Sequence, residues 1–227
     1  MKKFQLIFLL ALGSFAATGQ QYGLSFSYFL PKNGSFSTPV SPFSIRGLGV
    51  DFGKHFSLQT GASLYRMTGL GVKGLPFKTS TPIAGPNFTV FIPGELVLRF
   101  QGRQAEFDLK AGGFVFNGFL QKLNEGHLDR ALRDHEGWKV VNSDFSTTAR
   151  PGFGWQAGAE LTINVTRQWG LSLEVNYLAG GSPLRMKGTY FGYDQNDLPV
   201  SREADFKKAK VDLTGLEFSI GILMGGR

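Results

Sequence analysis

The sequence predicts an all-β fold, an eight-stranded antiparallel up-and-down transmembrane β-barrel. Three observations predict it. Eight segments alternate apolar and polar residues with period two. The connections between them are alternately tight and long. Aromatic residues gather at both ends of the apolar face, with an aliphatic band between them.

The segments follow in order. Tyr22, Leu24, Phe26, Tyr28 and Leu30 alternate with Gly23, Ser25, Ser27 and Phe29. Phe43 and Ile45 open the second run, and Leu48, Val50 and Phe52 continue it after a one-residue slip near Gly47, as a β-bulge requires. Phe56, Leu58, Thr60, Ala62 and Leu64 form the third. Phe88, Val90, Ile92, Leu96, Leu98 and Phe100 form the fourth, weakened in the middle by Pro93 and Gly94. Phe107, Leu109, Ala111, Gly113 and Val115 are the fifth, and the run from Phe153 to Val165 is the sixth. The seventh is Trp169, Leu171, Leu173, Val175 and Tyr177; the eighth is Leu216, Phe218, Ile220, Ile222 and Met224. Each is about as long as a tilted strand crossing a bilayer.

Gly53–His55, Gln101–Gln104 and Thr166–Gln168 are tight connections, whereas Pro31–Pro42, Arg66–Asn87, Gly118–Arg150 and Gly181–Lys210 are long. Strict alternation puts every tight turn, with both termini, at one end. A soluble barrel also alternates, but with its apolar face inward. The aromatics decide the direction. Tyr22, Phe52, Phe56, Phe100, Phe107 and Trp169 mark the tight-turn end, and Tyr28, Phe43, Phe88, Phe153, Trp155 and Tyr177 the long-loop end. Two belts around an aliphatic band match the two interfaces of a bilayer. The opposite face is rich in Gly and Ser and carries Glu95, Arg99, Glu106, Asp108, Lys110, Glu160, Glu174 and Glu217 at mid-strand. These are expected inside the barrel, where charges removed from water need partners.

Composition narrows the class. With no cysteine, the chain has no disulfide framework, thiolate metal site or cysteine nucleophile. A hydrophobic content of 42% with mean hydropathy −0.06 is too low for a polytopic helical membrane protein. An aromatic share of 14% is too high for a disordered chain. Lys2 and Lys3, the apolar run from Phe4 to Leu12 and the small-residue stretch ending at Gly19 read as a secretory signal peptide, residues 1–19, ahead of a barrel domain over 20–227. Loss of the two lysines leaves 22 basic residues against 17 acidic ones. So small an excess on an exported chain does not point to nucleic acid.

Strand count, loop alternation, leader and the stretch Phe56-Ser57-Leu58-Gln59-Thr60-Gly61-Ala62-Ser63-Leu64-Tyr65 resemble the small eight-stranded outer-membrane barrels: the OmpA barrel domain, OmpX/Ail and the PorT-like proteins. The resemblance implies an outer-membrane location in a Gram-negative-type cell and contact with outer-membrane lipids including lipopolysaccharide. The chain departs from the family at its C-terminus, ending in Gly225-Gly226-Arg227 rather than an aromatic residue.

Catalytic motifs are sparse. There is no P-loop, His-Glu-x-x-His or Gly-x-Ser-x-Gly. His55-Phe56-Ser57 has the His-x-Ser spacing of lipid A deacylases, but Leu58 stands where that family has Asn, and His55 falls in a tight turn. His127 and His135 share a loop with Asp129, Asp134 and Glu136, in a spacing that fits no recognised metal pattern. That loop's leucines, Leu120, Leu123, Leu128 and Leu132, predict a short helix around Asn124–Glu136, either a cap on the barrel mouth or a docking surface. The fourth loop carries Arg185, Lys187, Arg202, Lys207, Lys208 and Lys210 among Tyr190, Phe191 and Tyr193, a candidate rim for lipopolysaccharide phosphates or a polyanionic glycan. Arg185–Tyr190 and Asp205–Val211 are placed to extend the last two strands above the membrane. For the interior charges, a structural network competes with an ion path.

The expectation is a non-enzymatic barrel without cofactor or metal. It would serve envelope integrity, surface interaction with an envelope protein or glycan, or an envelope complex. A lipid-modifying hydrolase and a narrow pore are the alternatives.

Overall fold

The computed structural model describes residues 22–34, 40–67, 69–79, 81–166 and 168–224. The signal peptide expected over 1–19 lies outside them, as does the C-terminal Gly225-Gly226-Arg227. Among the described residues, twelve strands and one helix follow in chain order: β1 (Tyr22–Pro31), β2 (Val40–Asp51), β3 (Phe56–Arg66), β4 (Val72–Lys73), β5 (Ala84–Gln101), β6 (Ala105–Leu123), α1 (Glu125–Glu136), β7 (Val140–Ala149), β8 (Gly152–Asn164), β9 (Trp169–Tyr193), β10 (Pro199–Phe206), β11 (Lys210–Asp212) and β12 (Gly215–Met224).

Eight of these form a closed antiparallel ring in the order β1-β2-β3-β5-β6-β8-β9-β12, with β12 returning to β1. Closure leaves no sheet edge at membrane depth, so every ladder group finds a partner without water. The eight period-two runs are these strands, and the three tight connections are the hairpin turns β2–β3, β5–β6 and β8–β9. Period two then puts alternate residues on opposite sides of the wall. Leu161 and Leu173 face out at 39% and 49% exposure, while Glu160 and Glu174 face in at 7% and 2%. An exterior of this composition is stable only against hydrocarbon. The belts stand at its two ends, with Trp155 and Tyr177 in contact at 5.7 Å on one and Phe100 and Phe107 at 6.4 Å on the other.

The slip near Gly47 is a bulge. Ile45 faces Ala62 and Leu48 faces Thr60, so β2 carries one extra residue, and Gly47 takes a φ of 76°. Only a residue without Cβ holds that conformation cheaply. Just before the bulge, plain alternation after outward Ile45 turns the Arg46 side chain into the barrel, where it meets carboxylates from β9 and β12.

The interior differs from the expectation in its upper half. Most of the charged side chains lie towards the tight turns, while buried hydroxyls occur at both levels, Ser57 low and Ser41 and Thr89 high. Towards the long loops the inward positions become Phe29, Tyr65, Phe91, Phe114, Phe116 and Leu178, all nearly inaccessible. Phe114 lies 4.7 Å from Phe91 and 6.0 Å from Phe116. Glycines on the facing strands make the room. A Cβ on Gly154 would sit 2.5 Å from the Phe114 ring, and one on Gly180 2.7 Å from it.

This aromatic layer runs into a core built by the long connections. β9 continues far above the barrel and pairs with β7 on one side and β10 on the other. The extension predicted for Arg185–Tyr190 is therefore present. Asp205–Val211 instead ends β10, turns, and enters β11. The helix predicted around Asn124–Glu136 is α1, and it packs on β7. The Asn124 side chain accepts from the His127 amide at 3.2 Å and caps its start. Gly137, at φ 68°, closes its end by donating its N–H to the Arg133 carbonyl. Gly126 falls in the exposed first turn, where it costs the helix little. Leu128 and Leu132, one turn apart, are buried in the cap core with Trp138, Val141, Leu184 and Met186.

Candidate functional site

The eight interior charges predicted from strand parity are brought together in the lower barrel, and the two partner sets are distinct. On β5 and β6, the Arg99 guanidinium reaches Glu106 at 2.6 Å, Asp108 at 3.0 Å and Asp51 at 3.6 Å. Glu106 and Asp108 lie just across the tight turn from Arg99, so those two pairs are local, and Asp51 comes from the end of β2, two strands away. The second set crosses the lumen. Arg46 on β2 binds Glu174 on β9 at 2.6 Å and Glu217 on β12 at 2.8 Å. Lys110 on β6 binds Glu160 on β8 at 2.5 Å and Glu174 at 3.1 Å. Glu174 is thus held by cations from two sides of the barrel.

Among the described residues, three buried or half-buried bases face six buried carboxylates. Neutral donors supply what the bases do not. Gln156 donates to Glu95 at 2.5 Å, and Asn176 donates to Glu174 at 3.0 Å and Glu217 at 2.9 Å. The Tyr65 hydroxyl donates to Glu217 from the aromatic layer above. Sequence reasoning missed Arg46 and Tyr65. The signal for Arg46 was its parity, one residue after outward Ile45 and ahead of the bulge. Tyr65 also stands at inward parity, one residue after Leu64, but an aromatic there does not announce a polar role.

The six candidate basic residues of the fourth loop do not form one surface. Arg202 lies opposite Tyr190 on the helix-facing side of the β7-β9-β10 sheet, whereas Arg185 and Lys187 point to the other side. Arg202 binds Glu136 at 2.6 Å and lies 5.6 Å from the centre of the Trp138 ring. Tyr190 also donates to Glu136, at 2.7 Å; burial and that carboxylate raise its phenol above the ordinary range. Arg185 binds Asp205 at 2.7 Å and holds its carboxyl below the usual carboxylate value, and Lys207 stands 3.8 Å from the same group. Three of the six charges are therefore answered within the cap. Lys187, Lys208 and Lys210 are exposed, and Lys210 lies in register with Lys73 of β4.

The histidines are separated by their packing. His55 contacts the Arg99 carbonyl at 3.1 Å in its turn, while Ser57 faces the interior and accepts from Gln59 at 3.3 Å. His127 contacts the Pro82 carbonyl at 2.8 Å, His135 packs on Phe77 at 5.6 Å, and Asp129 accepts from Ser143. No group of three or more His, Asp or Glu is arranged to hold a metal among the described residues.

No protein-family model and no curated protein matches the chain. Among solved structures it is similar to Ail, the attachment invasion locus protein of Yersinia pestis, at 9% identity and a TM-score of 0.36, over 90% of this chain and 95% of that one. It is also similar to a major outer membrane protein from Thermus thermophilus, at 10% identity and a TM-score of 0.40, over 91% and 99%.

Proposed function

We propose that the chain is an outer-membrane barrel without catalytic activity. The membrane part is an anchor, and the folded cap of α1 and the β7-β9-β10 sheet is the working surface on the cell exterior. The observation that carries this reading is the filled lumen. Glu174 is bound across the axis by Arg46 and Lys110, and the layer of Phe29, Phe91, Phe114 and Phe116 above it continues into the cap core. A pore needs a continuous wet path, and the packed side chains described in both halves of this barrel speak against one. Such a rigid plug-and-cap suits envelope integrity, contact with lipopolysaccharide, or binding of an envelope protein or surface glycan.

The test has two parts. Cell fractionation and surface proteolysis place the mature chain in the outer membrane with its cap outside; recovery from the periplasm refutes the reading. In planar bilayers the purified chain gives no conductance above an empty-membrane control; stable single-channel steps revive the pore. For the hydrolase alternative, Ser57 points into the barrel near the tight-turn end and His55 bonds a backbone carbonyl. Mass spectrometry of lipid A with and without the protein is expected to show identical acylation.

A further inference from the structure

Between the first two long connections the cap encloses a cleft of about 580 Å³. This is within the roughly 300–1,000 Å³ of small-ligand sites. Its walls are tied down. The Gly71 amide donates to the Asn33 carbonyl at 2.7 Å, Gly34 bridges Leu70, and β4 pairs with β11. Beneath it, buried Asp212 accepts from Asn33 at 2.8 Å, Lys73 at 2.9 Å and Thr214 at 2.7 Å. That carboxylate is fully occupied and does not line the cleft.

The lining has a definite chemistry. Among the described residues it carries the ammonium groups of Lys32 and Lys78, that of Lys73, which is shared with Asp212 below, and the hydroxyls of Thr79 and Thr81, with no acidic side chain. Among the described residues no carboxylate pairs with Lys32 or Lys78, in contrast to Arg185, Arg202 and Lys207 elsewhere in the cap. Leu75, Phe77 and Pro82 form an apolar wall, and Phe77 is braced from behind by Phe206 at 5.6 Å. A doubly charged anion satisfies several lysines at once, and an attached ring with a nonpolar face satisfies the wall. Lys32 lies four residues beyond Tyr28 of the outer belt. At about 3.3 Å per residue and a tilt near 40° the cleft stands about 10 Å above that belt, at the outer edge of the membrane headgroups.

We propose that this cleft binds a phosphorylated sugar, with Lys32 and Lys78 on the phosphate and the ring against Phe77 and Pro82. The sugar is either soluble or the headgroup of a lipid in the surrounding leaflet. The proposal goes beyond the anchor-and-cap reading, which stands on fractionation and conductance whatever the cleft binds.

The test uses the full chain folded in nanodiscs. One arm titrates mannose 6-phosphate and mannose by calorimetry. The other compares nanodiscs containing a bisphosphorylated disaccharide lipid with nanodiscs containing its dephosphorylated form, and counts the lipid retained after detergent extraction by mass spectrometry. In at least one arm the phosphorylated probe binds at least tenfold better than its neutral partner. The double variant K32A/K78A loses at least tenfold of that binding, while K187A, on the far side of the β7-β9-β10 sheet, keeps it. Binding in the first arm assigns a soluble ligand, and binding confined to the second assigns the lipid. Equal binding of charged and neutral probes in both arms, or an unchanged K32A/K78A variant that retains its folded electrophoretic mobility, overturns the proposal.

Discussion

Arg46 is where the reasoning about the barrel interior is most exposed to test. Its guanidinium makes charge-assisted bonds at 2.6 and 2.8 Å to Glu174 and Glu217, whose side chains are 2% and 1% accessible. Arg46→Met keeps most of the volume and removes the charge, leaving two carboxylates short of a partner in a place water does not reach. Breaking a buried ion pair costs about 3–5 kcal/mol. The lower figure applies, because Glu174 keeps Lys110 and Asn176, and Glu217 keeps Asn176 and Tyr65. About 3 kcal/mol is a roughly 150-fold shift in the folding equilibrium. The assay is reversible urea unfolding from lipid vesicles, followed by the fluorescence of Trp155 and Trp169, which sit on the outer face. Adding Glu217→Gln to the variant removes one of the two stranded charges and recovers part of the loss. If R46M unfolds within about 0.5 kcal/mol of the parent, the range of an indifferent surface substitution, the cross-lumen network does not hold the barrel together.

The remaining predictions concern the cap and the orientation. Leu132→Ala opens a cavity in the cap core worth about 2–5 kcal/mol; protease cleavage around α1 is expected to accelerate, with the barrel's own urea midpoint unmoved. Because the chain has no cysteine, single cysteines introduced at Asp197 and Lys54 report topology cleanly: a membrane-impermeant maleimide labels the first on intact cells and reaches the second only after lysis. The Asp205 carboxyl is depressed by Arg185, so the β9–β10 pairing is strengthened above the ordinary carboxylate range and loses that contribution as pH falls through the lowered value. Amide exchange along β10 is expected to quicken over that acidic window, and R185Q to show no such window.

The transmembrane strands were legible because a two-sided wall imposes a strict rule on every residue: lipid on one side, packed interior on the other. Glu160 beside Leu161 and Glu174 beside Leu173 state that rule in the chain itself, and even the bulge at Gly47 left its slip of one residue. Leu128 and Leu132 exposed α1 in the same way, since a helix with one covered face must space its leucines by a turn. Upper-barrel residues were harder to place. Phe29, Phe91, Phe114 and Phe116 stand at inward parity, but with 22 phenylalanines in the chain an aromatic says little about which medium it faces. The arrangement of the loop-four basic residues was not legible for another reason: charges close in sequence are split between the two faces of one sheet.

Local alternation, turn length and the ends of the apolar face thus determined the barrel, its strand number and its inside and outside, because each is a one-dimensional consequence of the medium beside the residue. Which charges meet was decided only by closure. Arg46 and Glu174 lie 128 positions apart, and nothing between them records that the wall curves until they touch. The cleft of Lys32, Lys73 and Lys78 is likewise a product of two connections folding onto β11, an arrangement set by packing in three dimensions.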